Sequence, residues 1–373
     1  MTPNMEYLEV EKNLNQRLRF FEPQNRRFWR KKLGRKVFIS DCEGPISVND
    51  NAFELAGIFI ENGEKFFTVL SKYDDVLVDE VKRDGYYAGG TLKLIVPFLK
   101  AYGATNRSIV DFSRENVLLL PGAEDTMQFI DSIMPSFIVS TSYEQYIQAL
   151  CDVIKFPFEN TYSTDLDMDG YYISEGDKEK LMQFRSIILE NPDFELLDKI
   201  FWDDIPKMEI NKITEKVKPV GGEGKKEAVM DILNKFGFDD SDVMYVGDSI
   251  TDVEPLRFAK EHGGLAVSFN GNEYALKEAE IAIMADNTVI TSIIADMFNR
   301  FGKDKVIKFI NAYRVNTEDA LNKYPVNKNL KTAIEQVNLP KIEVVTSENF
   351  KALVDESKAF RRLVRGELIG ALG

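Results

Sequence analysis

Short apolar runs alternate with amphipathic stretches along much of this chain. Between two of the runs, residues 225–236 repeat their apolar positions at helical spacing, and Gly237 follows where a helix typically ends. Apolar strands that alternate with amphipathic helices are typical of a parallel sheet covered on both faces. The pattern therefore predicts an α/β fold with a doubly wound parallel sheet. Its predicted strands are KVFIS at 36–40, SFIVS at 136–140, VMYVG at 243–247, GLAVSF at 264–269 and IAIMA at 281–285.

Two long segments, mostly helical in pattern, interrupt this alternation, and two more segments flank it. A short strand is predicted at KIEVV, residues 341–345, within the second flank. The predicted units are an N-terminal helical extension (1–35), a core (36–46, 118–150 and 218–298), a helical insertion (47–117), a second inserted subdomain (151–217) and a mainly helical C-terminal extension (299–373).

The net charge of the chain narrows the range of functions that it could have. The 373 residues include 61 acidic and 47 basic side chains, and the resulting net charge of −14 argues against general nucleic-acid binding. The apolar runs are all much shorter than the roughly 20 residues of a membrane-spanning helix. Two cysteines, Cys42 and Cys151, do not make a disulfide framework, so we expect a cytoplasmic protein. The basic second half of residues 1–35 is either a solvated helix face or a surface for a protein partner or a membrane.

The first chemical feature follows the first predicted strand. Asp41 and Glu43 stand two residues apart, and Gly44 then turns the chain. One such carboxylate can attack a substrate while the other transfers protons. A second feature, Ser140-Thr141-Ser142, follows the strand SFIVS, and its hydroxyl and backbone N–H groups could hold a phosphoryl oxygen.

Two further features open helices. Lys225 follows a glycine-rich stretch at 221–224, and a cation at the start of a helix is unfavourable unless an anion is held there. Asp248 and Asp252 follow the strand VMYVG and stand four residues apart, so both would lie on one face of the helix that begins there. Carboxylate oxygens of this kind suit magnesium.

Taken in order, these features resemble the motifs of the haloacid dehalogenase superfamily. Lys225 precedes Asp248 by 23 residues, a register similar to that of the phosphoserine-phosphatase-type branch. The stretch PGAEDTMQFI at 121–130 resembles the helix that precedes the second motif in this superfamily. The long first insertion, the larger second one and the Asp-x-Glu-Gly-Pro start further resemble an archaeal subgroup that is sometimes labelled subunit R of an energy-converting hydrogenase.

The resemblance implies a magnesium-dependent phosphatase that acts on a small phosphorylated metabolite beneath a helical cap. Asp41 would attack phosphorus and become an aspartyl phosphate. The implied Mg²⁺ ligands are Asp41, the main-chain carbonyl of Glu43 and Asp248, with Asp252 supporting the site directly or through water. The implied phosphate-binding groups are Ser140, Lys225 and the backbone N–H groups of Cys42 and Thr141.

One departure from the family pattern concerns the proton-transferring residue. The superfamily usually has Asp two residues after the nucleophile, whereas this chain has the longer Glu43. We interpret Glu43 as the acid and base, although catalytic geometry tolerates only small displacements. The alternatives are a slow phosphatase, an inactive accessory or binding subunit of a larger complex, and a phosphotransferase or a C–P or C–halogen hydrolase. The paired aspartates count against carbon–halogen chemistry, which needs no magnesium.

Overall fold

Seven strands form one sheet at the centre of this computed structural model, which describes residues 36–372. The predicted helical extension at 1–35, with its basic surface, lies outside the described residues. The strands are β1 (Val37–Ser40), β2 (Ser136–Tyr143), β3 (Thr161–Thr164), β4 (Val243–Gly247), β5 (Leu265–Phe269), β6 (Ile281–Met284) and β7 (Lys341–Val344).

The strand order is β3-β2-β1-β4-β5-β6-β7. The first six strands are parallel, and β7 pairs with β6 in the antiparallel direction. Six parallel strands in this order make the doubly wound arrangement of dinucleotide-binding folds. The predicted fold class is therefore confirmed. Each of the six predicted strands is present, and KIEVV forms β7.

Helices cover both faces of the sheet, as buried apolar strands such as β1 and β4 require. The helices are α1 (Asn51–Phe59), α2 (Gly63–Asp79), α3 (Thr91–Ala101), α4 (Asn106–Glu115), α5 (Ala123–Ile133), α6 (Glu144–Ile154), α7 (Glu175–Glu190), α8 (Phe194–Lys199), α9 (Asn211–Lys216), α10 (Glu223–Phe236), α11 (Val253–Glu261), α12 (Glu273–Glu278), α13 (Val289–Phe301), α14 (Lys303–Val315), α15 (Thr317–Lys323), α16 (Lys328–Ile334) and α17 (Phe350–Arg365). Among the core helices, α5, α6 and α13 pack on one face of the sheet, and α10 and α11 pack on the other.

The chain after β2 stays in the core for longer than the sequence pattern predicts. Helix α6 and strand β3 continue the sheet as far as Thr164, so the second insertion begins after that residue rather than at 151. The sequence of β3 is TYST, a short and mostly half-buried edge strand. This strand lacks the apolar run that marks the other core strands, so the sequence pattern does not predict it.

The two inserted segments pack together as one helical cap. Helices α1–α4 from the first segment and α7–α9 from the second share a single apolar core. The aromatic ring of Phe98 lies 4.7 Å from that of Phe66 and 6.0 Å from that of Phe201, measured between centroids. Because rings from both segments meet, neither segment buries its apolar face alone.

The last helix, α17, lies against α12 and β6 and ends near the carboxyl edge of the sheet. Leu353 and Val354 pack on Leu276 and Met284. The hydroxyl of Ser357 donates to the carbonyl of Gly271 at 2.7 Å. Among residues 36–372, no helix combines the length and the apolar character that crossing a membrane requires.

Candidate active site

Asp41 and Asp248 mark the centre of the site, because they follow the neighbouring strands β1 and β4. The backbone N–H of Asp41 donates to the carbonyl of Val246 at 2.8 Å, which locks the two strand ends together. In a sheet of this order the connections diverge between β1 and β4, and the crevice outside their carboxyl ends is where such folds bind ligands.

Lys225 lies at the start of α10 with its ammonium group inside the acidic cluster. Its Nζ donates to Asp41 Oδ2 at 2.6 Å, to Asp252 Oδ1 at 2.8 Å and to Thr251 Oγ1 at 3.0 Å. All three protons of the ammonium are thus used, and the side chain is fully buried. Burial alone would lower the pKa of Lys225, but Asp252 and Asp41 outweigh it and raise that pKa. The position of Lys225 at the start of a helix predicts a nearby anion, and the anions found there are the carboxylates of Asp41 and Asp252.

Asp252 organises the loop after β4. Its Oδ2 accepts the backbone N–H groups of Asp248 at 2.9 Å and Ser249 at 3.1 Å. Its Oδ1 accepts the Tyr245 hydroxyl at 2.8 Å as well as Lys225. Burial opposes ionisation, yet these donors hold the pKa of Asp252 below its usual value. Both oxygens are already engaged, which suits the supporting role better than that of a direct metal ligand.

The Asp41 carboxylate faces two donors. Oδ2 accepts Lys225, and Oδ1 accepts the backbone N–H of Cys42 at 2.6 Å. The N–H expected to contact a phosphoryl oxygen is therefore bound to the neighbouring carboxylate in this structure. Burial raises the pKa of Asp41, and Lys225 opposes that rise. The buried Cys42 thiol also has a raised pKa, first because of burial and then because of Glu43 and Asp41, so it is a poor nucleophile.

The described residues fit a divalent cation. Ligand oxygens of the buried Asp41, Asp248 and Asp252 all lie within 4.8 Å of one another. Gly44 has a φ of +103°, and a Cβ at that position would lie 2.1 Å from Asp248 Oδ2. Only glycine therefore lets the Glu43–Gly44 turn approach Asp248 so closely. Carboxylate oxygens held this close suit magnesium.

Glu43 lines the same cavity. Its Oε1 accepts the backbone N–H of Asn51, the first residue of α1, at 2.7 Å. Burial raises the pKa of Glu43 well above its usual range, and Asp50 adds to this, while the Asn51 N–H and Arg365 oppose it. A carboxyl group whose pKa is raised holds its proton more readily and can act as a general acid.

Ser140, Thr141 and Ser142 line the cavity. They lie within β2 rather than after it, because this strand runs three residues beyond its predicted end. Ser140 Oγ accepts the backbone N–H of Ser142 at 3.2 Å. The Thr141 hydroxyl is buried and has no hydrogen-bond partner among the described residues, so it remains available to a ligand.

Two arginines that the sequence analysis missed also enter the site. The side chains of Arg361 and Arg365, on α17, are 4% and 5% exposed, and both donate to Asp248 Oδ2. Arg365 does so at 3.1 Å, and its Nε also donates to the Val48 carbonyl at 3.1 Å. One signal could have found Arg361. It continues the buried stripe of Leu353 and Ser357 at four-residue spacing, and a cation on the buried face of a helix implies a buried anion.

The cavity at the centre of the site holds about 100 Å³ between the core and the cap. That is room for several water molecules. The cap wall contributes residues from α2, from the loop before α3 and from the start of α3, and Leu372 lines another side. The cap residues are Phe67, Ser71, Asp74, Asp75, Gly89, Thr91 and Leu92.

Comparisons with known proteins show one extensive similarity. No protein-family model and no curated protein matches the chain. The structure of gene product AF1437 from Archaeoglobus fulgidus superposes with a TM-score of 0.77 at 31% identity, covering 91% of this chain and 99% of that one. A substrate-bound phosphoserine phosphatase superposes with a TM-score of 0.43 at 16% identity, covering 69% of this chain and 95% of that one. The HAD family hydrolase t0658 from Salmonella enterica serovar Typhi superposes with a TM-score of 0.44 at 13% identity, covering 75% of each chain. Both are too distant to bear on function. At this identity and coverage, the chain belongs to the same family as gene product AF1437.

Proposed function

We propose that this chain is a magnesium-dependent phosphatase of the haloacid dehalogenase superfamily, which hydrolyses a small phosphorylated metabolite through an aspartyl phosphate on Asp41. The observation that carries the proposal is the buried Lys225, which bridges Asp41 and Asp252 beside Asp248 at the carboxyl ends of β1 and β4. Such a set of groups fits phosphoryl transfer, which depends on positioning and on offsetting negative charge.

In the first step, a carboxylate oxygen of Asp41 attacks the phosphorus atom. The new bond joins that oxygen to phosphorus, and the ester bond to the leaving alcohol breaks. Lys225 offsets the repulsion between the two anions because its ammonium already contacts Asp41 at 2.6 Å. The Thr141 hydroxyl, buried and without a partner among the described residues, can donate to a phosphoryl oxygen.

Glu43 acts as the general acid in the first step and as the general base in the second. It gives its proton to the leaving alcohol oxygen and becomes a carboxylate. It then takes a proton from a water molecule as that water attacks phosphorus, and the bond between Asp41 and phosphorus breaks. Phosphate leaves, and Glu43 is protonated again. The pKa of Glu43, raised by burial, suits the acid half of this cycle.

The residues that would hold the cation are Asp41 and Asp248, with Asp252 fixing the loop that carries Asp248. When bound, Mg²⁺ would offset negative charge on the phosphoryl oxygens. The small cavity between the core and the cap favours a small substrate, since little room remains beyond the phosphoryl group.

The direct test is phosphate release from p-nitrophenyl phosphate and from a broad panel of phosphate esters, with Mg²⁺. We expect turnover that EDTA abolishes and that added Mg²⁺ restores. Asp41→Asn should reduce turnover by more than about 10³-fold, because it removes the nucleophile but keeps the side-chain shape. Its melting temperature, measured alongside, checks that the fold is intact.

Absence of turnover by the wild-type protein on the whole panel would overturn the enzyme proposal. If a stoichiometric partner also co-purified with the inactive protein, the alternative of an accessory subunit would take its place.

A further inference from the structure

Asp248 differs from the other carboxylates of the site in how its charge is balanced. Arg361 and Arg365 converge on a single oxygen, Oδ2. Among residues 36–372, every hydrogen bond to this carboxylate goes to Oδ2, which leaves Oδ1 for another ligand. One buried carboxylate is thus paired with two buried guanidinium groups.

The two arginines are held firmly in place. Arg361 Nη2 also donates to the carbonyl of Leu372 at 3.4 Å, and Arg365 binds the carbonyls of Val48 and Asn49. An arginine cannot shed its charge at any ordinary pH. By formal charge, Asp248 and its two arginines together carry one positive charge before a cation arrives, and the nearby carboxyl group of Asp50 also attracts both guanidinium groups.

Each guanidinium group beside Asp248 weakens the binding of a divalent cation there by Coulomb repulsion. The same positive charges favour a phosphoryl dianion, which would enter the cavity lined by Arg361 and Arg365. Once the dianion is bound, its charge offsets the guanidinium groups, and the repulsion felt by the cation falls.

We propose that Arg361 and Arg365 make cation binding at Asp248 depend on the phosphoryl group, so that Mg²⁺ binds weakly alone and tightly together with phosphate. This inference rests on the proposed function, since it requires the cation site at Asp41 and Asp248. The arginines act as positioning residues through Asp248 and need not touch the reacting atoms.

The experiment measures Mg²⁺ affinity by isothermal titration calorimetry on the full chain, with and without inorganic phosphate. Arg361→Gln removes one charge and should lower the Kd for Mg²⁺ alone on the order of tenfold, by Coulomb attraction at intermediate dielectric. Phosphate should then tighten Mg²⁺ binding by a smaller factor in the variant than in the wild type, because the coupling is reciprocal.

Two further variants separate charge from shape. Arg361→Lys keeps the charge and should bind Mg²⁺ as the wild type does. Arg362→Gln, on the same helix but with its side chain 51% exposed, should also leave the affinity unchanged. If Arg361→Gln does not fold, Arg365→Gln removes the second charge, and the rise in Tm on adding Mg²⁺ provides an independent measure. That rise should be larger in the charge-removing variant.

An unchanged or weaker Mg²⁺ affinity in the charge-removing variants would overturn this inference while leaving the metal site intact. Failure of the wild-type protein to bind Mg²⁺, even with phosphate present, would instead overturn the proposed function itself.

Discussion

Asp41 and Asp248 follow neighbouring strands, but the cations that balance them come from different parts of the fold. Lys225 opens a core helix and bridges two carboxylates, Asp41 and Asp252. Arg361 and Arg365 come from α17 and share one carboxylate, Asp248. By formal charge, Lys225 with its two carboxylates carries one negative charge, and the two arginines with Asp248 carry one positive charge, before the nearby Asp50 is counted.

The core motifs alone therefore leave the negative charges of the site unbalanced. The lysine side is a closed network in which every proton of Nζ is used. The arginine side adds charge that the core lacks, and it leaves Asp248 Oδ1 open. The negative charge at the nucleophile Asp41 favours a cation, and the positive charges at Asp248 favour a dianion, so the two ligands suit the site together.

The largest effect should come from breaking the lysine side. Lys225→Met leaves Asp41 and Asp252 buried without a cation, so the free energy of unfolding should fall by about 3–5 kcal/mol and phosphate release should stop. Urea unfolding measures the first change, and phosphate release from the panel of phosphate esters measures the second. Lys226→Met is the matched control, because Lys226 is partly exposed and pairs with Glu223 one turn away, so this variant should unfold like the wild type. Equal stability of the two variants would show that the buried network contributes little.

A second prediction tests Glu43, which lies between the two sides. Glu43→Gln imitates the protonated carboxyl that burial favours, so we expect little change in melting temperature. Turnover should nevertheless fall by about 10²-fold or more, because the amide cannot transfer the proton. Glu43→Asp should recover part of the rate. A Glu43→Gln enzyme with wild-type kcat would remove Glu43 from the mechanism.

The smallest effect concerns the cap wall, where Asp75 has no ion pair among the described residues. Burial raises the pKa of Asp75 to about 7, and Asp74 and Asp79 add to this. The folded state therefore binds a proton more readily than the unfolded state, and Asp75 lowers stability progressively as the pH rises from about 4 to about 7.

Asp75→Asn removes this pH-dependent penalty. The variant should gain stability relative to the wild type as the pH rises, reaching about 1 kcal/mol at pH 8 after allowance for partial exposure. Urea unfolding at pH 5 and pH 8 measures the two differences. The same difference at both pH values would mean that Asp75 titrates normally in the folded protein.

Much of the core could be predicted from the sequence, because the signals there are local. Apolar runs locate the six predicted strands, and the rule that parallel strands end at one edge brings Asp41 and Asp248 together. The geometry of Gly44 against Asp248 then explains why the turn after Asp41 carries glycine.

The remaining features depend on contacts between distant parts of the chain. Strand β3 is short and polar, so only its pairing with β2 identifies it. The single apolar core of the cap depends on the contact between Phe98 and Phe201, and no sequence pattern links these two positions. The arginines of α17 carry no motif, and their role becomes evident only once Asp248 lies beside them.

The contact between Arg365 and the carbonyls of Val48 and Asn49 also bears on the order of folding. It joins residues 317 and 316 positions apart, almost the full span of the described chain. Contacts at such separation form slowly, because the closure entropy of a long loop must be met first. We therefore expect the sheet and cap to assemble before α17 docks. Catalytic competence would then lag behind the recovery of secondary structure during refolding.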